Sequence, residues 1–306
     1  MLPKFIESLS GKLAERWTAT VLAPAFAFWL GGLVLRATKL GWQDPVDFFK
    51  ALTNYEQLGV LIGGLLLITI SGTVIQRFDL AILRFLQGYW GLPLKPLTNR
   101  LKQLAYQHTL KQQDQFQRLT QFPIHSLKPE QRNRLLQLDW QLAHRPTQEH
   151  LTMPTCLGNL LRAAEQKSYD RYGLDTLVCW PRLWLLLPDS AKKELETARD
   201  NLNTNVRIWL WCLLFILWSF WNPWIIPIAL VAASFVYYQW ILPAAALYAD
   251  LLEATFDLYR MELYKALRWP LPQSPAEEKS LGLQLTAYLW RGSDESQPQF
   301  LPVDNK

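Results

Sequence analysis

Long apolar segments without charged residues are the feature that most restricts how this chain can fold. Residues 58–75 and 225–247 contain no Asp, Glu, Lys, Arg or His. At a rise of about 1.5 Å per residue, each segment can cross about 30 Å of hydrocarbon as a helix. Because a backbone in lipid must satisfy its own hydrogen bonds, we predict that both are membrane-spanning helices. The 15 Trp residues favour the same prediction, since Trp concentrates at membrane interfaces.

Two further apolar segments bring the predicted number of spans to four. The four spans are placed at 17–36, 58–80, 206–221 and 225–247. We expect no acid, base or His near the midplane of these helices. Ion-coupled transporters and proton pumps usually need such groups there, so the sequence argues against both classes. A passive pore lined by hydroxyl groups stays open as an interpretation.

The distribution of Lys and Arg predicts the orientation of the spans. The loop at 37–57 carries two Lys and three acidic residues, whereas basic residues concentrate near the other span ends. Cytoplasmic loops are enriched in Lys and Arg, so the loop at 37–57 is predicted to lie outside. Both termini and residues 81–205 are then cytoplasmic, in a plasma or inner membrane.

The segments outside the spans have helical rather than strand-like periodicity, so we predict an all-α fold. A cytoplasmic helical domain at 81–205 is inserted between the second and third spans. The other predicted parts are an interfacial amphipathic leader at 1–16, a short helix within the outer loop at 37–57, cytoplasmic helices at 248–291 and a flexible tail at 292–306.

The second span combines small residues with hydroxyl groups. Gly59 and Gly63 have the four-residue spacing that lets two helices approach closely in lipid. We expect this face to pack within the chain, with dimerisation as the alternative. Thr69, Ser71 and Thr73 are the candidate pore-lining residues, and their other interpretation is helix packing through hydroxyls bonded to the helix backbone.

Charged residues are concentrated around Gly173. The cluster consists of Arg162, Glu165, Arg171, Asp175 and Arg182. We expect these side chains to converge where Gly173 reverses the chain, as a structural salt-bridge network or as an anion-binding site. Glu165 and Asp175 would be the acid–base pair if the protein were a membrane enzyme.

Two aromatic residues in the next segment, Trp180 and Trp184, are candidate anchors for a cytoplasmic protein partner. The basic stretch 95–134 is expected to contact anionic lipid, and nucleic-acid binding is disfavoured because no known module accompanies it. No catalytic motif or metal-binding pattern of Cys and His is found in the sequence, so we expect neither a metal nor a cofactor.

The block Leu157-Gly158-Asn159-Leu160-Leu161-Arg162-Ala163-Ala164-Glu165, followed by Arg171-Tyr172-Gly173-Leu174-Asp175 and Trp180-Pro181-Arg182-Leu183-Trp184, resembles a family of bacterial integral membrane proteins with no assigned function. The resemblance implies membrane insertion and no particular activity. The predicted topology is also similar in architecture to bestrophin-type channels, without their sequence motifs. We therefore expect a homo-oligomeric membrane protein, either a channel regulated by its cytoplasmic domain or a scaffold or sensor that docks a partner.

Overall fold

The fold is helical, as predicted. The computed structural model describes residues 21–292 and 298–302, and these residues contain α-helices and no strand. The predicted leader at 1–16 lies outside the described residues. The helices are α1 (Ala23–Leu40), α2 (Gln43–Ala51), α3 (Asn54–Arg77), α4 (Asp79–Gln87), α5 (Lys95–Thr120), α6 (Pro129–Ala143), α7 (Cys156–Tyr172), α8 (Thr176–Leu186), α9 (Asp189–Leu214), α10 (Ile225–Val236), α11 (Leu242–Ala266) and α12 (Pro275–Arg291).

Three helical segments of the described chain are long and apolar enough to cross a membrane. They are Asn54–Arg77, Asp189–Phe220 and Ile225–Ala266, with 24, 32 and 42 residues. The first two overlap the predicted spans 58–80 and 206–221, and the third contains the predicted span 225–247. The first predicted span overlaps α1, which has 18 residues, and its residues 17–20 lie outside the described part.

The chain divides into two compact units. Unit 1 consists of Met1–Arg84 and Asn201–Ile241, and unit 2 consists of Phe85–Asp200 and Leu242–Lys306. Helix α9 contributes to both, with no loop between its two parts. Unit 2 therefore combines most of the predicted domain at 81–205 with the C-terminal helices, which the sequence analysis had assigned separately.

Unit 1 is held together by aromatic rings around α1. The ring of Phe28 lies 5.0 Å from that of Trp211 and 5.2 Å from that of Trp218, between ring centroids. Gly32 makes this approach possible, because a Cβ there would come within 2.3 Å of the Trp218 ring. Gly32 on α1 and the Trp218 ring opposite it thus pack directly against each other.

A buried ion pair joins two predicted spans. Arg207 Nε and Nη2 donate to Asp79 Oδ1 and Oδ2 at 2.8 and 2.5 Å, and the two side chains are only 10% and 16% exposed. Both residues fall within the predicted boundaries, 206–221 and 58–80, although each lies near the end of its span. The predicted second span is also not one helix, because α3 ends at Arg77 and α4 begins at Asp79.

The glycine face of α3 is open in the described chain. A Cβ at Gly59, Gly63 or Gly64 would have no neighbour within 4 Å. The expectation that Gly59 and Gly63 pack against another span of the same chain is therefore wrong for the described residues. Of the α3 glycines, Gly72 is the one in close packing, with Val21 3.0 Å from its Cβ position.

Unit 2 is organised around α7, whose ends the sequence had marked. The Thr155 hydroxyl accepts from the Gly158 amide at the start, and Gly173 ends the helix in the left-handed conformation with φ +71°. Helices α8, α11 and α12 pack against α7. The Thr155 cap and the left-handed Gly173 therefore set the two ends of this helix.

Helices α7 and α12 approach so closely that only glycine fits at the contact. A Cβ at Gly282 would lie 1.8 Å from the Tyr172 carbonyl oxygen, and one at Gly173 would lie 2.3 Å from the Lys279 carbonyl oxygen. Both neighbours are backbone atoms, which cannot move aside as a flexible side chain can. Helix α8 begins three residues after Gly173, at Thr176.

The described part of the tail, residues 298–302, contacts the helices rather than standing free. The Phe300 ring lies 6.0 Å from both the Trp269 and the Tyr288 rings, and the Leu301 amide donates to the Arg268 carbonyl at 2.8 Å. The flexibility expected of the tail at 292–306 stays a prediction.

Candidate functional site

A cleft in unit 2 is lined by aromatic residues from three helices. Its lining residues are Trp180, Pro181 and Trp184 from α8, Leu195, Glu196, Arg199 and Asp200 from α9, and Tyr248 from α11. The cleft has a volume of about 540 Å³ and is open to the surface. A smaller and more enclosed cavity of about 180 Å³ shares four of these residues and adds Glu165. The two therefore form one continuous depression.

Both tryptophans that the sequence analysis singled out lie in this cleft. Trp180 and Trp184 are half-buried, and their ring centroids are 5.7 Å apart. Trp180 also packs at 6.0 Å from Phe256, which is buried. One side of the Trp pair thus rests on the core of unit 2, while the other side faces the cleft.

Arg199 and Glu165 supply the charge of the inner part of the cleft. The Arg199 guanidinium lies 5.3 Å from the centre of the Tyr248 ring, a cation–π distance. Glu165 pairs with Arg162 at 3.3 Å. Burial raises the pKa of the Glu165 carboxyl and so does Asp175, whereas Arg162 and Arg199 lower it. Burial and Asp175 thus oppose Arg162 and Arg199 in setting the pKa of the Glu165 carboxyl.

The five residues of the predicted cluster do not share one network. Arg162 pairs with Glu165, but Arg171 pairs with Glu253 of α11 at 2.8 Å. Asp175 caps α8 by accepting from the Leu177 and Val178 amides, and Arg182 donates to the Val178 and Leu289 carbonyls. Arg162 and Glu165 thus form one ion pair, whereas Arg171, Asp175 and Arg182 each contact other groups near Gly173.

Buried hydroxyl groups, rather than ion pairs, dock the start of α8 on α7. The Ser168 and Thr176 hydroxyl oxygens are 2.6 Å apart, and Thr176 donates to the Glu165 carbonyl at 2.6 Å. The Ser168 hydroxyl oxygen also lies 3.0 Å from the Leu174 carbonyl oxygen, and because Thr176 donates to Glu165, the one Ser168 hydrogen is shared between Thr176 and this carbonyl. Sequence reasoning missed this network because it weighed charged residues and gave little weight to Ser and Thr beside a helix end.

The predicted pore-lining residues lie on α3, in unit 1. Ser71 donates to the Ile68 carbonyl and accepts from the Trp29 indole N–H at 3.1 Å. Thr73 donates to the Thr69 and Ile70 carbonyls, both at 2.9 Å. Helix packing and back-bonding therefore occupy the Ser71 and Thr73 hydroxyls, and Thr69 is half-buried beside them.

Arg199, Tyr248 and Glu253 belong to the surroundings of the cleft and were not identified from sequence. Tyr248 and Glu253 lie on α11, far along the chain from α7 and α8, and Arg199 on α9 meets Tyr248 only through the fold, so local spacing gives no signal for them. In the described ranges, no group of three or more His, Cys, Asp or Glu side chains could hold a metal ion.

A substitution at Glu165 tests the electrostatics of the cleft. Because the pKa of this carboxyl is raised in the folded state, its charged form is disfavoured by folding. Its contribution to stability is full below the ordinary carboxyl pKa and is lost as pH rises through the folded value. We expect Glu165→Gln to gain stability relative to wild type as pH rises from about 4.5 to 7.5, by no more than about 1 kcal/mol at this partly exposed site.

The measurement is the difference in unfolding midpoint between the two proteins in detergent across that pH range. In an Arg162→Gln background the same difference should grow, because Arg162 lowers the pKa of Glu165. A difference that stays constant with pH, or one of opposite sign, would contradict the assignment.

Comparisons with known proteins found no relative of this chain. No protein-family model matches the chain, and neither a curated protein nor a solved structure matches it.

Proposed function

We propose that this protein is a membrane-anchored docking protein that binds a partner polypeptide in the Trp180–Trp184 cleft of unit 2. The observation that carries the proposal is the pair of half-buried Trp rings in an open cleft. Trp is the residue type most enriched where protein interfaces concentrate their binding energy. In this proposal the apolar helices cross the membrane and unit 2 lies in the cytoplasm.

The surroundings of the cleft favour a polypeptide over a small ligand. Leu177 and Leu185, on the same helix as the two Trp, are 68% and 76% exposed. Apolar side chains spread over a wide surface suit an interface, whereas small-molecule sites are enclosed and concave. The partner we envisage presents an apolar or aromatic side chain to the Trp pair and a cationic group to the exposed Glu196.

An enzymatic function has weaker support. Acid–base chemistry by Glu165 and Asp175 needs both carboxylates to be available to a substrate. Asp175 instead caps α8 through two backbone amides, and Glu165 is paired with Arg162. This arrangement uses both groups structurally.

Channel activity stays a prediction, as does the homo-oligomer that a pore would require. Helix α3 supports neither the channel nor the oligomer, because the hydroxyls of Ser71 and Thr73 donate hydrogen bonds to carbonyls of their own helix. Ion flux through the purified protein in liposomes is the measurement that decides it.

A lipid-facing role for α5 and α6 is part of the same proposal. These helices and the segment between them carry eight basic residues and few acidic ones: Lys95, Arg100, Lys102, Lys111, Arg118, Lys128, Arg132 and Arg134. Anionic lipid attracts such a surface by about 1 kcal/mol per charge near the membrane. Contact between this basic surface and the membrane would orient unit 2 so that it can bind its partner.

The test is capture of the partner from native membranes with the Trp184→Ala protein. We expect a stoichiometric partner of the wild-type protein to be lost, because removal of a central aromatic anchor commonly weakens an interface by about 2 kcal/mol or more. The matched control is Trp290→Ala, since Trp290 is 66% exposed and lines no part of the cleft. Equal capture by wild type and both variants would refute the proposal.

A further inference from the structure

A second cavity in unit 2 has a different character from the Trp cleft. It has a volume of about 400 Å³ and lies among α5, α6, α7 and the start of α11. Trp140, Leu160 and Leu242 supply apolar walls, and His108, His144 and Arg145 supply polar side chains. No Asp or Glu is among the described residues that line it.

Arg145 is a half-buried cation without a carboxylate partner in the described part of the chain. Its Nη1 donates to His108 Nδ1 at 2.9 Å and to the Thr109 hydroxyl at 3.2 Å, and both acceptors are uncharged. Burial lowers the pKa of Arg145, the direction expected for a cation that loses solvation, and Cys156 opposes this change only in part. Both bonds use one nitrogen, so the Nε–Nη2 edge remains for a bidentate acceptor.

The two histidines differ in what they can offer. His108 accepts from Arg145 through Nδ1, which leaves a neutral ring with an Nε2–H donor. Burial lowers the pKa of His108, and so do Arg145, Lys111 and Arg134, which favours the same neutral form. His144 is held between the Trp140 carbonyl at 2.8 Å and the Asp250 carboxylate at 3.0 Å. Asp250 is therefore engaged with His144 rather than with Arg145.

The beginning of α7 adds to the positive potential. Thr155 and Cys156, the cap and first residue of this 17-residue helix, both line the cavity. The N-terminal end of a helix carries a partial positive charge from its unpaired amides. This potential acts on the same cavity as the Arg145 guanidinium, which the structure shows without an anionic partner.

We propose that this cavity binds the phosphate group of an amphipathic organic phosphate. Arg145 holds the phosphate through its Nε–Nη2 edge, His108 donates to it, and Trp140 and Leu160 cover the apolar part of the molecule. Phosphate fits better than a carboxylate because the cavity combines a guanidinium, a helix N-terminus and the nearby Lys111 and Arg134 with no lining acid. The ligand is either a soluble phosphomonoester or a phosphomonoester lipid.

Cys156 provides a direct reporter of occupancy. It is exposed and lines the cavity, whereas Cys179 is buried and Cys212 is half-buried in a predicted span. The experiment measures the rate at which Cys156 of the full-length protein in detergent reacts with a maleimide, with and without phenyl phosphate. At a concentration ten times the midpoint of binding, we expect labelling to slow about tenfold, because only the unoccupied fraction reacts. Phenol, which has the ring without the phosphate, should not protect.

Variants and lipid nanodiscs separate the alternatives. Arg145→Gln should abolish protection, Arg145→Lys should retain part of it, and Arg118→Gln, which changes an exposed residue of α5, should leave it unchanged. Protection by phosphatidic acid in phosphatidylcholine nanodiscs, without protection by phenyl phosphate, would assign the ligand to the lipid. Absence of protection by both probes in the wild-type protein, or full protection in folded Arg145→Gln, would overturn the proposal.

Discussion

Replacing Asp79 by Ala is expected to lower the free energy of unfolding by about 3–5 kcal/mol, the range found when one partner of a buried ion pair is removed. The substitution leaves the Arg207 guanidinium, only 10% exposed, with neither of its two short hydrogen bonds. An uncompensated charge in such surroundings is far less stable than a paired one. The measurement is the unfolding midpoint of the purified protein in detergent, with urea or heat.

Two controls show whether burial is the cause. Asp114→Ala removes the partner of Arg118 in an ion pair whose side chains are 75% and 57% exposed, and we expect a change below about 1 kcal/mol. The double variant Asp79→Leu/Arg207→Met removes both charges and should recover much of the stability lost in Asp79→Ala. An Asp79→Ala protein as stable as Asp114→Ala would show that the pair is solvated.

The second large effect is expected for Gly282→Ala. The added Cβ would lie 1.8 Å from the Tyr172 carbonyl oxygen, so α12 must move away from α7. Overpacking of this kind typically costs about 1–3 kcal/mol, and we expect the upper end because the opposing atom is backbone. Hydrogen exchange should report the change locally, as faster exchange of the α12 amides.

Gly64→Ala is the matched control for this prediction. Gly64 also lies within a helix, but its Cβ position has no neighbour within 4 Å. We expect no loss of stability, since Ala is the better helix former by about 1 kcal/mol. Equal effects of the two substitutions would mean that the α7–α12 approach is looser than the structure shows.

Features governed by neighbouring residues were predictable from the sequence. Thr155 and Gly173 mark the two ends of α7 because a hydroxyl cap and a left-handed glycine are local requirements. The apolar segments predicted, in outline, the three helical segments that are long and apolar enough to cross a membrane, since length and hydropathy need no tertiary information.

Features that depend on distant parts of the chain were not predictable. Arg171 was expected beside Asp175 but pairs with Glu253, which is 82 positions further along the chain (253 − 171). Asp79 and Arg207 lie 128 positions apart, and this separation in sequence hides that each is the other's partner. The cavity around Arg145 likewise needs four helices to bring its residues together.

Helix α9 restricts where the chain can gain or lose residues. Leu195, Ala198, Leu202 and Val206 are all buried and follow one another at three- or four-residue steps, across the point where the chain passes from unit 2 to unit 1. One inserted or deleted residue within this stretch would rotate everything beyond it by about 100° around the helix axis. Insertions and deletions should therefore be excluded from α9 and tolerated in the exposed connection 121–126, where no helix has to keep buried residues on one face.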